Sequence, residues 1–460
     1  MVSEETLFDT VPELGDHLRA GRVTSEELTR AYLDRLERVG PKLNAVVTLT
    51  RDRALEAAKR ADEELRNGTD RGPLHGIPYG VKDLIAVDGY ETTWGAAPYR
   101  DQEFDYDATI IERFDEAGAV LVAKLAMVEL AGGMGYSSDA MTFTGTGYTP
   151  WNTDVWSGGS SSGPGSATAA GLVGFSIGSE TWGSIFSPSG NCGLSGLRPT
   201  YGVVSRYGAM ALSYTMDKLG PMCRSAEGCR LVFETIAGPD PKDHTSVDKM
   251  ETIHELAALP DTPKLATLES ALDDEQFQRS METLEEFAEI ETVELPDLPY
   301  EETASTVLFA EAGSVFDDLI ESGRVQELTS PQGSIGGYAY DTILAKDYVT
   351  ANRVRRLVQK RLDETLAPYD AMVLPNRSIG GAANVAGLPG ISIPNGFDDE
   401  GVPTALIFTG RAFADLKLVE LAKEYQSRTD HVDYTDLLDT PLFEGESDSE
   451  SETEAATASD

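Results

Sequence analysis

The chain has 460 residues, of which 78 are acidic and 37 basic, so its formal net charge is −41. Nucleic acids and anionic membranes bind clustered lysine and arginine, so this charge predicts no membrane partner and no direct nucleic-acid binding. The acidic residues are scattered along the chain and arginine outnumbers lysine 25 to 12, which predicts a surface adapted to high salt.

The N-terminal part of the chain predicts helices. Residues 5–40 are expected to be helical, and Thr24 and Glu27 have the spacing of a capping box. Residues 50–68, rich in Ala and Glu, predict a second amphipathic helix. The first residues lack a basic segment followed by an apolar one, and no run approaches the ~18 apolar residues of a membrane-spanning helix. We therefore expect a soluble, cytoplasmic protein.

Short apolar runs then alternate with helical segments, which is typical of an α/β sheet. Residues 119–123 and 371–375 are such runs. The intervening segment 235–340 is more acidic, and we predict a helical excursion on the substrate side. A last helix is expected at 414–427. The tail 444–460 has no apolar periodicity and is predicted to be disordered.

The three cysteines, Cys192, Cys223 and Cys229, do not have the spacing of metal ligands. Their odd number would leave one thiol unpaired if a disulfide formed, which suits a reducing compartment. Cys192 is nearest to the serine-rich segment described next. We expect it to be a small buried side chain.

Serine is concentrated between Gly158 and Ser189, in the string GGSSSGPGSATAAGLVGFSIGSETWGSIFSPS. A nucleophilic serine needs a proton acceptor, which is usually a histidine held by a carboxylate. The chain has five histidines, and none lies close in sequence to either serine cluster. Lys82 lies upstream, between apolar residues. A lysine that acts through a second serine hydroxyl is therefore the hypothesis for the base.

These residues resemble the amidase signature family. The family pattern runs GGSS, a helix of small residues and G-[ST]-[DE]-T-x-G-S-I, with G-[IV]-K-D upstream. Ser184 follows Ser160 by 24 residues, which matches the family spacing. The resemblance covers about residues 5–430 and is weakest at 235–340. The matching strings are GVKD at 80–83, GGSS at 158–161, GSETWGSI at 178–185, GLRPTYG at 196–202 and GLPGISIP at 387–394.

The resemblance implies a role for each member of a Ser-Ser-Lys triad. Ser184 is expected to be the nucleophile and Ser160 to connect it to Lys82, with a cis peptide bond between Gly159 and Ser160. An exposed lysine titrates near ~10.4, so burial beside uncharged hydroxyls must lower the Lys82 pKa by roughly 3 pH units before it can accept a proton.

The same resemblance implies how charge and substrate are held. Gly159 and Ser161 are expected beside the substrate, and no metal or organic cofactor is implied. Each donor of an oxyanion hole contributes on the order of 3–4 kcal/mol. The expected donors are the backbone N–H groups of Thr181, Trp182, Gly183 and Ser184.

The resemblance also implies the fold, a single amidase-signature domain in which a mixed, twisted β-sheet is covered by helices on both faces. We predict this α/β/α sandwich over residues 1–440. Its catalytic core is expected at 70–230 and 340–430.

Other functions fit the sequence less well than an amidase. A nucleotide-binding loop is disfavoured because the chain has no G-x-x-x-x-G-K-[ST] string. Ser176 lies in a second G-x-S-x-G string but within an apolar run, so we expect a core serine. A Ser-His-Asp triad using His75 or His244 stays open, although His75 is better placed for turn packing. A catalytically silent scaffold would not need Lys82, Ser160 and Ser184 at family spacing.

The substrate is less constrained by the sequence. One family branch is the glutamine-hydrolysing subunit of glutamyl-tRNA(Gln)/aspartyl-tRNA(Asn) amidotransferase. There an arginine, matched by Arg355, is expected to bind the substrate carboxylate. An aspartate expected at the substrate ammonium is displaced here by one position, to Asp415.

The nucleophile segment differs from that branch too, which typically has S-D-T-G-G-S-I-R. This chain has Glu180, Trp182 and Phe186 at the differing positions, and Trp182 would reshape the acyl pocket. The preferred hypothesis is thus a stand-alone amidase for a small or aryl amide, with a small molecule as its partner. The glutaminase subunit, with amidotransferase partner subunits, is the alternative, and a homodimer is left open.

Overall fold

The structure is a computed structural model that describes residues 2–134, 142–330, 333–376 and 379–443, with no side-chain description for 333–336. The tail 444–460, predicted to be disordered, lies outside the described residues. No described helix combines the length and the apolar character needed to span a membrane.

One large mixed sheet runs through the molecule. Its strands, numbered in chain order, are β1 (Val46–Leu49), β2 (Pro78–Lys82), β3 (Val120–Leu125), β4 (Tyr148–Thr149), β5 (Asn152–Trp156), β6 (Phe175–Glu180), β7 (Ser195–Arg198), β8 (Lys218–Cys223), β9 (Lys264–Leu268), β10 (Glu289–Val293), β11 (Ala371–Pro375), β12 (Gly390–Phe397) and β13 (Pro403–Thr409). Within the described residues, eleven of them pair in the order β1-β3-β2-β6-β8-β7-β12-β13-β11-β9-β10, and β4 pairs with β5 alone. The runs β3-β2-β6 and β11-β9-β10 are parallel and the other pairs of the large sheet are antiparallel, so the predicted mixed sheet is confirmed.

Helices cover both faces of this sheet. They are α1 (Val11–Arg19), α2 (Ser25–Val39), α3 (Arg51–Arg66), α4 (Thr109–Glu116), α5 (Ser162–Ala169), α6 (Phe186–Cys192), α7 (Ala226–Ile236), α8 (Met250–Leu256), α9 (Glu275–Leu284), α10 (Tyr300–Val315), α11 (Asp317–Glu321), α12 (Gly333–Tyr340), α13 (Ala345–Leu366), α14 (Gly380–Ala386) and α15 (Asp415–Gln426). Successive strand residues point to opposite faces. In β3, Val120 and Val122 pack in the apolar cluster that contains Ala167 of α5, whereas Leu121 packs in the one that contains Phe114 of α4. The α/β sandwich is therefore confirmed.

The N-terminal helices agree with their sequence signals. Thr24 caps α2, since its hydroxyl accepts the Glu27 N–H at 3.1 Å and Glu27 Oε2 accepts the Thr24 N–H at 3.0 Å. The helix predicted at 50–68 is α3.

The prediction that residues 235–340 are helical is wrong at two places, where the chain forms strands. β9 and β10 lie inside this segment and extend the same sheet beside β11. β10 is an edge strand whose Glu289 and Glu291 are exposed, while Ile290 and Val293 are partly buried. Its two glutamates lie on the exposed side of the strand, so β10 adds to the polar composition of the segment without being a helix.

The sheet topology places the candidate site. β2 ends at Lys82 and its parallel neighbour β6 ends at Glu180, so the carboxyl ends of both strands lie at one edge. The connection from β6 to α6 carries Ser184, and Ser160 lies just before α5. Three segments that are distant in sequence therefore meet at this edge.

Candidate active site

Lys82 is fully buried at the end of β2, where two serine hydroxyls surround its amino group. Its Nζ donates to Ser160 Oγ at 2.7 Å and to Ser179 Oγ at 2.9 Å. Ser160 is fully buried too. Ser179, on β6, was not singled out from the sequence, although it occupies the [ST] position of the G-[ST]-[DE]-T pattern. The hydroxyl residue that the family pattern has at this position is the sequence signal that could have identified Ser179.

The surroundings of Lys82 favour the neutral amine. Burial lowers the pKa of Lys82 from 10.5 to about 7, although the negative charges of Asp217 and Glu180 partly oppose this shift. The adjacent Asp83 is turned away and binds Lys124, with 2.9 Å between Oδ1 and Nζ. Near neutral pH, a substantial fraction of Lys82 can therefore accept a proton.

The backbone of Ser184 is joined to the segment that carries Ser160. The Gly159–Ser160 peptide bond is cis, as the family resemblance predicted. The Ser161 N–H donates to the Ser184 carbonyl at 3.3 Å, which ties the two serine segments together. The Ser161 hydroxyl donates to the Ser179 carbonyl at 3.2 Å. Gly159 and Ser184 line the cavity described below, whereas Ser161 is absent from its described wall.

Glu180 fixes the turn that carries Ser184. Its Oε2 accepts the N–H groups of Ile185 at 2.9 Å and Phe186 at 3.1 Å. Its Oε1 accepts Arg198 Nη1 at 2.8 Å and Asn384 Nδ2 at 3.1 Å. Burial alone would raise the pKa of Glu180, but the charges of Arg198 and Lys218 outweigh it and lower that pKa. The sequence shows Glu180 only as a departure from aspartate, so this role was not predicted.

The turn itself leaves backbone donors free. Gly183 has φ of +82°, a left-handed conformation that favours glycine. Among the described residues, no acceptor binds the backbone N–H groups of Thr181, Trp182, Gly183 and Ser184. All four residues line the cavity. These N–H groups can therefore donate hydrogen bonds to an oxygen atom of a bound molecule.

The cavity beside Ser184 has a volume of about 320 Å³ and a largely apolar wall. This is near the lower end of the usual range for small-molecule sites. Its aromatic walls include Trp156, Trp182, Phe186 and Phe309, the last from α10. Among its described lining residues, Arg198 is the only charged side chain, and it is already paired with Glu180.

A smaller, more polar cavity of about 190 Å³ adjoins the first one. It shares Ala131, Thr181 and Leu212 with the first cavity and is also lined by Ser179 and His244. His75 lies elsewhere, with its Nε2 3.1 Å from Glu64. Neither histidine lines the described wall of the Ser184 cavity, so the structure gives no support to a Ser-His-Asp triad there.

Ser176 and Cys192 were both predicted to be buried in the core. Ser176 is fully buried and its hydroxyl donates to the Pro164 carbonyl at 3.0 Å, as expected of a core serine. Cys192 is buried, and its Sγ lies 3.6 Å from the Ser157 carbonyl oxygen.

The two residues compared with glutamine-binding positions have partners within the protein. Arg355 donates to the Val385 carbonyl at 2.7 Å and to the side chain and carbonyl of Thr215, each at 2.5 Å. Asp415 accepts the Thr200 N–H and hydroxyl, both at 2.7 Å. Neither Arg355 nor Asp415 belongs to the described wall of the cavity.

We therefore expect Arg355 to act as a structural residue. Arg355→Gln should lower the melting temperature and change kcat/KM by the same factor for neutral and acidic amides, because Thr215 and Val385 lose a donor in either case. Steady-state kinetics on one neutral and one acidic amide measure this. A rise in KM confined to the acidic amide would instead assign Arg355 to substrate binding.

The family match and the α/β sandwich are those of an enzyme that hydrolyses amide C–N bonds. The chain belongs to the amidase signature family, since the family model described as Amidase matches residues 27–381. The resemblance stated from the sequence is thereby confirmed.

Two kinds of relatives share this family. A glutamyl-tRNA(Gln) amidotransferase subunit of Moorella thermoacetica is 34% identical over 489 aligned positions, which cover 93% of this chain and 98% of that protein. The native peptide amidase of Stenotrophomonas maltophilia has a TM-score of 0.82 at 31% identity, covering 92% of this chain and 97% of that one. The corresponding glutamyl-tRNA(Gln) amidotransferase subunit of Thermotoga maritima has a TM-score of 0.73 at 26% identity, covering 94% of this chain and 98% of that one.

Proposed function

We propose that the chain hydrolyses amides through an acyl-enzyme on Ser184, with Ser160 and Lys82 as the proton relay. The observation that carries this proposal is the buried Lys82–Ser160 contact of 2.7 Å, together with Ser184 on the wall of an apolar cavity in a segment that is hydrogen-bonded to Ser161. A lysine whose pKa is about 7 is matched to general-base catalysis near neutral pH.

In acylation, Ser184 Oγ forms a bond to the amide carbon. Its proton passes to Ser160 while Ser160 gives its own proton to Lys82. Negative charge grows on the carbonyl oxygen, and the backbone N–H groups of residues 181–184 donate hydrogen bonds to that oxygen. Each such donor contributes on the order of 3–4 kcal/mol to the transition state. The C–N bond then breaks, and the leaving nitrogen takes a proton from Ser160, which Lys82 replaces.

In deacylation, water attacks the ester carbon and loses its proton through Ser160 to Lys82. The bond from the acyl carbon to Ser184 Oγ breaks, and the proton returns along the same path to Ser184. The products are the carboxylic acid and ammonia or an amine. The relay ends each cycle in its starting protonation state.

The substrate that fits the cavity is the amide of a small or aryl acid without a net charge. Glutamine carries both a carboxylate and an ammonium group, and burying them without partners is costly. The one charged side chain on the described wall, Arg198, is paired with Glu180. The alternative is a glutaminase that needs partner subunits, and its support is the 34% identity to an amidotransferase subunit.

The test is ammonia release by the purified chain alone in concentrated KCl, from aliphatic amides, aryl amides and glutamine. We expect turnover of aryl amides, little of glutamine, and loss of turnover in Ser184→Ala. Ser176→Ala is the matched control, because it removes a buried serine that lies outside the site and should remain active. Turnover of glutamine alone, and only after a partner subunit is added, would favour the glutaminase. Full activity in Ser184→Ala would refute the mechanism.

A further inference from the structure

One face of the large sheet contributes three residues to the wall of the Ser184 cavity, and one of them is polar. These residues are Leu374 of β11 and Ile407 and Thr409 of β13, and we call them the cavity floor. Side chains two residues apart on a strand point to the same face, so Ile407 and Thr409 are neighbours there. Leu374 is directly opposite Ile407 in the antiparallel pair and shares that face. Thr409 is thus a polar residue beside two apolar ones.

The hydroxyl of Thr409 has no partner and is open to the cavity. Thr409 Oγ1 makes no hydrogen bond within the described part of the chain. It is not enclosed by protein atoms, whereas Arg198 Nη2 and Thr404 Oγ1, which also lack a partner, are enclosed. Thr409 is only 2% exposed, and it lines the cavity. The open side of its hydroxyl therefore faces the cavity.

The hydroxyl of Thr409 is not explained by the strand. Valine has the same branched shape as threonine, is equally suited to a strand, and would make the floor entirely apolar. When a ligand displaces water from the cavity, the Thr409 hydroxyl loses its hydrogen bonds to water, and leaving it without a partner is unfavourable. A ligand that places a polar group at this point removes the penalty.

The polar group that suits this position is an uncharged hydroxyl. The Thr409 hydroxyl can both donate and accept a hydrogen bond, and a hydroxyl on the ligand can take either complementary role. A charged group in the cavity would need an opposite charge beside it. The one charged side chain on the described wall, Arg198, is already paired with Glu180. Burying a ligand carboxylate without a matching cation is costly.

The indole of Trp182 is a competing donor that the test must separate from Thr409. Its Nε1 also has no partner among the described residues. It lies near the start of α14, where a Cβ at Gly380 would be 3.0 Å away. Trp182 belongs to the turn that carries Ser184, whereas Thr409 belongs to the sheet. An indole N–H can only donate, so it cannot accept a hydrogen bond from a ligand hydroxyl.

We propose that Thr409 is a specificity-determining residue and that the substrate carries, on its acyl portion, a hydroxyl group that hydrogen-bonds to Thr409 Oγ1. This inference rests on the proposed function, because it treats the cavity as the acyl pocket of Ser184. The substrate class is then the amide of an apolar or aryl acid that bears a hydroxyl group.

The test compares ligands in which a methyl group of nearly the same size replaces the hydroxyl. Affinities for the Ser184→Ala variant, which lacks the nucleophile, are measured by isothermal titration calorimetry. The probes are benzamides and phenylacetamides with a hydroxyl, methyl or carboxylate group at ring position 3 or 4. In at least one hydroxyl and methyl pair, we expect the hydroxyl compound to bind about five- to tenfold more tightly, as one net hydrogen bond allows. A hydroxyl preference in no pair, tightest binding of a carboxylate, or no binding of any probe would overturn the proposal.

Three variants in the same background then test the residue. Thr409→Val keeps the shape of the side chain and removes its hydroxyl, so the preference should shift to the methyl compound. Thr404→Val is the matched control and should leave the preference unchanged, because Thr404 is on the same strand but points to the opposite face. Trp182→Phe removes the indole N–H. A hydroxyl preference that persists in Thr409→Val, or that is lost only in Trp182→Phe, would refute the assignment to Thr409.

Stability separates a binding role from a structural one. Because Thr409 Oγ1 has no partner within the described part of the chain, Thr409→Val should melt no lower than its parent in differential scanning calorimetry. A melting temperature several degrees lower would show that the hydroxyl is structural and would contradict the proposal.

Turnover by the wild-type chain distinguishes failure of this proposal from failure of the proposed function. Ser184-dependent hydrolysis without a hydroxyl preference in binding refutes only the Thr409 subsite. A hydroxyl preference that depends on Thr409, without hydrolysis of any amide, refutes the proposed function and leaves the binding contact in place.

Discussion

Replacing Lys82 by methionine should lower kcat/KM for amide hydrolysis by at least about 10³-fold, within the range that a positioned general base contributes. Methionine is similar in length and has no titratable group, so the change removes the proton acceptor with little change in packing. Initial-rate kinetics measure the effect, with the amide that the wild-type chain hydrolyses fastest among the aliphatic amides, aryl amides and glutamine. Lys124→Met is not a suitable control, because Lys124 is paired with Asp83. Lys59→Met, on the surface of α3, is suitable and should retain full activity.

The wild-type pH profile should reveal the same group. Because the base must be neutral and the pKa of Lys82 is about 7, kcat/KM should rise with pH through about 7 and level off above it. Activity is thus lost on the acid side, where Lys82 is protonated. A midpoint near the usual lysine value of 10.5 would contradict the buried relay.

Removing Lys82 should change stability and activity in opposite directions. The pKa of Lys82 is about 7 in the folded protein against 10.5 for an ordinary lysine, so the unfolded chain binds more protons between these values. This lysine therefore destabilises the fold at pH 7, and its contribution improves as the pH rises towards 10.5. Lys82→Met should accordingly melt at a higher temperature than the wild type at pH 7. Such an inactive but more stable variant would also exclude misfolding as the cause of lost activity.

Lys82, Ser160 and Ser184, which form the proposed relay, could be grouped from the sequence because each lies within a short motif. Lys82, Ser160 and Ser184 are each flanked by residues that match the family pattern, and the need for a depressed lysine pKa follows from general-base chemistry alone. Their meeting at one sheet edge follows from the parallel pairing of β2 and β6.

Contacts between distant segments could not be predicted in this way. Arg355 was matched to a glutamine-binding position, but whether its donors point to a substrate or to Thr215 depends on the packing of α13 against the 213–215 loop. Similarly, β10 is polar on its exposed side, so its composition resembles that of a solvent-facing helix. In both cases tertiary packing, which local sequence does not encode, decided the outcome.

Glu180 joins the turn that carries Ser184 to Arg198, so Glu180→Gln should affect both stability and activity. Glutamine keeps the shape of the side chain but removes the charge opposite Arg198, which is 1% exposed. Leaving one member of a buried ion pair unpaired costs about 3–5 kcal/mol. We expect a loss of this size in the free energy of unfolding from denaturant titration. We also expect kcat/KM to fall by about 10²-fold, since the turn that holds Ser184 loses part of its anchor.

Two further variants separate the causes. Glu227→Gln is the surface control, because Glu227 pairs with Arg230 where both side chains are about 30% exposed, and such pairs contribute about 0–1 kcal/mol. The double variant Glu180→Gln/Arg198→Met removes the unpaired charge and should recover much of the lost stability. Activity should not recover with it, because the contacts of Glu180 with Ile185 and Phe186 are still weakened. If Glu180→Gln were as stable as Glu227→Gln, the buried pair would not be holding this turn.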